Sequence, residues 1–273
     1  MKNNLRTAVT RWLGTGILVC FLVAKLSAQT DKKNTIYLYT GVHLSKTQDL
    51  VFSPLIYSGG AINTLGLGYE RRSQKGYFQF SFNYDRVKVK PQERISSPAF
   101  GDRAPSNALQ LDLNFAYSRQ LMAGPKLKMM VGGLFQIRFQ DTKYQFGLND
   151  QYSYFFENSL NPMLLVDYQL KSKSRLQANF HFPLVSFNAR PEYAIVDNRS
   201  IQGEDGIGYL YKRGSWASLG SYQAFNLSLS YIKTFSSSFE GFVRYQLNFR
   251  RFTQPQTIRV LKNNFDLGLS FRF

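Results

Sequence analysis

The chain has 273 residues, 44% of them hydrophobic and 16% aromatic, with 24 Phe and 17 Tyr against 19% charged, which excludes a disordered or collagen-like chain. Barrels built only of strands run to about 250 residues as one unit, so the length suits a single domain. A net charge of +17, from 34 basic and 17 acidic side chains, points to nucleic acid or an anionic membrane surface, and the placement of the charges decides between them.

Residues 1–28 read as an export leader. Lys2, Arg6 and Arg11 precede an apolar run over 13–24, and Leu26-Ser27-Ala28 places a small residue before Gln29, so cleavage after Ala28 is expected. The apolar run falls short of the about 20 residues of a spanning helix. Val19 is too large to precede a lipidated Cys20. The leader takes Lys2, Arg6, Arg11 and Lys25 and no acid, leaving 30 basic and 17 acidic side chains in 29–273, a net +13, and no cysteine. Neither disulfides nor thiolate metal sites are then available, export argues against nucleic acid, and no cofactor is expected.

From residue 36 onward the dominant signal is alternation. It is clearest over 108–119, where Leu109, Leu111, Leu113, Phe115 and Tyr117 share one face and Gln110, Asp112, Asn114, Ala116 and Ser118 the other. The segments in chain order are 36–45, 62–71, 76–86, 108–119, 126–140, 162–170, 174–184, 222–233, 238–250 and 261–273, each near the ~9 to 11 residues of a tilted transmembrane strand. Short turns near 71–76, 120–126, 170–174 and 233–238 alternate with long connections at 46–61, 87–107, 141–161, 185–221 and 251–260. With the first strand rising from the periplasm, every short turn is periplasmic and every long connection outside. The long 185–221 connection carries Phe187, Tyr193, Tyr209, Tyr211 and Trp216, and it is expected to extend the barrel wall as a hairpin.

A soluble sandwich or lipocalin-like barrel alternates in the same way but turns its apolar face inward. Here one face reads Phe78, Phe80, Phe82, Tyr84 while the other reads Gln79, Ser81, Asn83, Asp85, a pairing that suits lipid outside and a hydrated lumen inside. In the leader, the paired strands and a last strand FDLGLSFRF that alternates up to Phe271 and Phe273, the chain resembles the outer-membrane β-barrel proteins of Gram-negative bacteria. Its Ala28-Gln29 junction is similar to signal ends common in Bacteroidota. The resemblance implies a closed, antiparallel, all-β barrel of about ten strands over 29–273, located in the cell outer membrane. It further implies outer-membrane lipids as partners and recognition of Phe271 and Phe273 by the barrel-assembly machinery.

On this topology the periplasmic turns carry Arg71, Arg72, Lys75, Arg119, Lys126, Lys128, Lys171, Lys173, Arg175 and Lys233 against Glu70 alone, and the outer connections are close to neutral. Arg71, Arg72, Lys75, Lys126, Lys128, Lys171, Lys173 and Arg175 are candidates for holding inner-leaflet phospholipid headgroups, with plain solvated turns as the alternative. The lumen is expected to hold a charge network of Asp85, Asp112, Arg138, Asp167, Glu240, Arg244, Arg250 and Asp266, paired across a narrow barrel as Arg272 joins them. Either a salt-bridged plug or a constricted pathway for small solutes follows.

His43 and His181 are the only histidines, both inward-facing near the outer ends of their strands, and neither belongs to a recognised catalytic spacing. Gly203-Glu204-Asp205-Gly206 lacks the ligands of a calcium loop, and Asn198-Arg199-Ser200 has no acceptor role in a bacterial envelope. The sequence therefore reads as a non-enzymatic outer-membrane barrel, a narrow pore or a surface-binding component with an envelope protein or small solute as partner. An outer-rim protease or lipid hydrolase and a soluble periplasmic binder are the alternatives.

Overall fold

A computed structural model describes residues 34–73, 75–92, 106–146, 149–191, 211 and 213–273. The leader and its cleavage point, the 203–206 turn and the 198–200 triplet lie outside these residues. The described residues form twelve strands: β1 (Asn34–Asp49), β2 (Ser53–Arg72), β3 (Gly76–Pro91), β4 (Ser106–Ala123), β5 (Leu127–Phe146), β6 (Asn149–Lys171), β7 (Ser174–His181), β8 (Val185–Ala189), β9 (Gly214–Ser218), β10 (Tyr222–Thr234), β11 (Phe239–Phe252) and β12 (Ile258–Arg272).

Ten of them close a barrel. Antiparallel pairing runs from β1 through β7, on to β10, β11 and β12, and back from β12 to β1. The closing β1–β12 ladder is long, from Thr35↔Arg272 to Asp49↔Ile258, so no edge of the barrel is left open there. Residues at odd positions of β1 and β3 and at even positions of β4, β5, β10, β11 and β12 point inward, as the alternation requires. The outward face bears exposed Leu38, Leu67, Phe115, Leu229, Leu267 and Leu269, with ring pairs such as Phe80–Phe115 at 5.0 Å and Tyr245–Phe265 at 5.0 Å. Exposed apolar residues in such number have no place on a soluble sandwich; they are what a lipid-facing wall presents.

The strands outrun the expected segments. β1 and β2 meet in a turn at residues 50–52, β5 reaches Phe146 and β6 begins at Asn149, and β11 and β12 leave only 253–257 between them. The connections expected over 46–61, 141–161 and 251–260 are thus mostly strand, continuing the wall beyond the apolar belt. The segments expected over 62–71 and 162–170 are the inner halves of β2 and β6, whose outer halves fall in the connections expected over 46–61 and 141–161. Alternation fades in those outer halves because neither face there meets lipid.

The segment expected over 174–184 stops at His181. Pro183 cannot donate to a ladder, and the chain steps past it before β8 resumes pairing with β6 at Leu160↔Val185. β9 pairs with β8, and β10 with β7, so the two short strands extend two wall strands outward as a hairpin. This is the arrangement expected of the aromatic 185–221 connection. On its outward side Phe187 packs against Tyr211 at 5.3 Å and Trp216 at 5.6 Å.

Candidate functional site

The lumen is the place where polar side chains converge, and it is layered. At the inner end, where the short turns lie, Tyr37, Tyr39 and Phe242 form an aromatic floor with centroids 6.2 Å apart. The sequence makes room for them with glycine. A Cβ at Gly66 would lie 1.9 Å from the Tyr39 ring, one at Gly68 2.1 Å from that of Tyr37, and one at Gly268 2.2 Å from that of Phe242. The Arg244 guanidinium lies 3.9 Å above the Tyr39 ring and donates from Nε to Asp266 at 3.0 Å.

Around this floor runs a ring of ion pairs. Arg72 donates from Nε to Glu70 at 3.1 Å and from Nη1 to Asp167 at 3.0 Å, and the Tyr77 hydroxyl donates to Glu70 at 3.0 Å. Arg175 and Arg272 both pair with Glu240, which also accepts from the Thr234 hydroxyl at 2.8 Å. Arg72 and Arg175 are therefore turned into the lumen, away from the leaflet for which they were candidates. Each sits on an inward-facing strand position, where a buried carboxylate offers more than a distant headgroup. Arg71, Lys75, Lys126, Lys128, Lys171 and Lys173 are exposed at the inner rim.

Above the floor is a polar chamber of about 140 Å³, lined by carboxamides including Asn83, Asn114, Gln136, Asn179 and Asn248. That is below the roughly 300 Å³ at which small-molecule sites begin. Arg138 crosses its wall, with Nε 2.7 Å from Asp112 and Nη1 3.3 Å from Glu157, a triad on neighbouring β4, β5 and β6. Lys262 reaches across the lumen from β12 to Asp85 on β3 and donates to Gln110 at 3.2 Å. His43, fully buried, has Nδ1 3.4 Å from the Thr64 hydroxyl and 3.6 Å from Asp85, and His181 contacts Asn226 at 3.4 Å. Each histidine is held within the polar lining, and His43 is fully buried there.

The outer end is filled. Phe155, Tyr222, Phe252, Ile258 and Val260 pack together on one side and Tyr57, Val87, Val89 and Tyr144 on the other. Arg250 donates to Gln140 and lies 4.9 Å above the Phe155 ring. Arg190, just past β8, pairs with Asp49 at the tip of β1 and donates to the Gln256 carbonyl at 2.6 Å, while Ser153 donates to Asp49 at 3.2 Å. Asp49 is 1% and Arg190 3% exposed, so the pair and its partners tie four outer hairpins together in the dry. Burial pushes the Asp49 carboxyl up, and Arg190 beside it pulls it down.

All eight residues expected in the lumen network face inward, and the structure joins Asp112 to Arg138, Arg244 to Asp266, and Asp167 and Glu240 to the inner ring. Asp85 pairs with Lys262 and Arg250 with an amide. Sequence reasoning missed Glu70, Glu157, Lys262, Asp49 and Arg190. Parity along β12 would have revealed Lys262; Glu157 and Asp49 were hidden by strand ends taken for loops. Phe271 packs outward with its ring tilted 5.1 Å from that of Phe239, and the Phe273 backbone exchanges hydrogen bonds with Asn34.

A closed ten-strand antiparallel barrel with a lipid-facing apolar wall and a charged lumen is the fold of the outer-membrane β-barrels. It is similar to the outer membrane protease OmpT of Escherichia coli, with a TM-score of 0.56 and 10% identity over 89% of this chain and 97% of that one. The translocator domain of the autotransporter NalP from Neisseria meningitidis gives a TM-score of 0.41 at 10% identity, covering 98% of each chain. Neisserial surface protein A gives 0.33 at 10% identity, over 87% of this chain and 97% of that one. No family model and no curated protein matches the chain. At such identity the likeness to OmpT concerns the fold alone.

Proposed function

We propose that the protein is an exported outer-membrane barrel with a closed lumen, which acts through its outer end as a structural or surface-binding component of the envelope, and neither conducts solutes nor catalyses. The observation that carries this is the filled outer lumen: two apolar clusters and the buried Asp49–Arg190 pair stand between the polar chamber and the outside. Burial of His43 against Asp85 supports the non-enzymatic reading, because a general base needs a path to its substrate. The leader over 1–28 supports export, Phe271 and Phe273 support recognition during assembly, and the exposed inner-rim lysines support contact with inner-leaflet phospholipid.

Incorporation of the purified, heat-modifiable protein into planar bilayers tests the reading. Electrical silence is expected; steady single-channel conductance overturns it. The carboxamide-lined chamber favours one second reading, a narrow path for small polar solutes, and that path would show conductance altered by the Arg138→Gln, Arg244→Gln double substitution.

A further inference from the structure

At the outer end the ladders align a row of outward-facing polar residues across four strands. Gln223 on β10 pairs directly with Arg251 on β11, Arg251 with Arg259 on β12, and Arg259 with Gln48 on β1. Lys46, two residues from Gln48 on the same face, is the diagonal neighbour of Arg259. The row is therefore Gln, Arg, Arg, Gln with a lysine beside it.

This row is electrostatically unpaid for within the protein. Like charges directly opposite on antiparallel strands repel and destabilise the pairing. Among the described residues no ion pair engages Lys46, Arg251 or Arg259, and Arg251 Nε is buried without a hydrogen-bond partner. Among the side chains described, the one carboxylate facing outward at this end is Asp141, on β5, several strands away. Directly below the row the same face turns apolar: Phe225 and Phe249 stack at 5.5 Å, beside Leu261, with Leu44 58% and Phe265 58% exposed further down.

A soluble anion would explain the charges but not their seat at the top of an apolar belt, while a protein acid would need no such belt. We propose that Arg251, Arg259 and Lys46, flanked by Gln48 and Gln223, bind the phosphate of a phosphorylated lipid in the outer leaflet, whose acyl chains lie over Phe225, Phe249 and Leu261. Paired guanidinium groups suit this ligand because each presents a planar fork of donors to phosphate oxygens. The inference rests on the outer-membrane location and is independent of whether the lumen conducts.

The test uses the full chain expressed with its leader, purified from outer membranes and stripped of lipid. Three probes are compared by native mass spectrometry and by the shift in thermal midpoint: a phosphorylated, acylated glucosamine disaccharide, the same lipid without phosphate, and inorganic phosphate. The parent is expected to bind the phosphorylated lipid at least about tenfold more tightly than either other probe, and Arg251→Gln with Arg259→Gln to reduce it to the phosphate-free level. Arg251→Lys with Arg259→Lys should keep part of the affinity, and Arg119→Gln with Lys233→Gln, exposed at the other rim, all of it. Removing the repulsive pair leaves the barrel at least as stable, so the Gln variant remains heat-modifiable and its loss of binding is interpretable. Equal binding of both lipids, equal binding of inorganic phosphate, or unchanged affinity in the Gln variant overturns the proposal.

Discussion

Arg138→Met removes the cation from a buried ion cluster in the lumen. Arg138 is 5%, Asp112 8% and Glu157 1% exposed, and the guanidinium serves both carboxylates at 2.7 and 3.3 Å. Removing it leaves two buried negative charges, on β4 and β6, on either side of β5 with the cation between them gone. Breaking a buried pair costs about 3–5 kcal/mol, roughly a hundredfold to a few thousandfold in the folding equilibrium. Replacing all three, Asp112→Asn, Arg138→Met and Glu157→Gln, removes the desolvation penalty together with the attraction and should return stability to within about 1 kcal/mol of the parent. Urea titration in lipid vesicles measures this, followed by the fluorescence of Trp216, the one tryptophan of residues 29–273. A single variant within about 1 kcal/mol of the parent, or a triple variant as damaged as the single, would refute the view that the triad is a dry, mutually dependent unit.

Gly66→Ala should destabilise by about 1–3 kcal/mol, since its Cβ would enter the Tyr39 ring, and the same urea titration reads it. Leu267→Arg, on the lipid face and 64% exposed, should cost about 2–4 kcal/mol in vesicles, whereas a soluble barrel would tolerate it. Asp49→Ala with Arg190→Ala should leave the heat-modifiable barrel folded while making the outer hairpins sensitive to added protease, because this pair joins β1 to the segment after β8. Replacing Lys126, Lys128, Lys171 and Lys173 by Gln should weaken affinity for anionic liposomes by up to ~1 kcal/mol per charge, and unchanged affinity would identify them as solvated turn residues.

Most of the barrel was legible because lipid and lumen impose opposite demands on alternate residues, and the twelve-residue stretch 108–119 satisfies both from Leu109 to Phe115. The strand ends were not legible for the complementary reason. Beyond the belt both faces of β1, β2, β5 and β6 meet polar or packed surroundings, so Lys46, Thr47 and Gln48 carry no period although they lie in an unbroken ladder. Pro183 misled in the other direction: the alternation passes through it toward residue 184, yet the missing donor divides the strand.

The charge network shows where sequence reasoning reaches its limit. Asp112↔Arg138, Arg138↔Glu157 and Arg244↔Asp266 are directly opposed in their ladders, so strand order, parity and register together suffice to find them. Asp85–Lys262, Arg72–Asp167 and Asp49–Arg190 are different in kind, since the ladders place their strands apart and only the closure of the wall brings the side chains within reach. Such trans-lumen pairs depend on the bore of the barrel and the stagger of its strands, which no local pattern encodes. They are also the pairs that occupy the bore at three heights: the inner ring, the chamber wall and the outer tip. The contacts least visible in the sequence are therefore those that bear most directly on whether anything passes through.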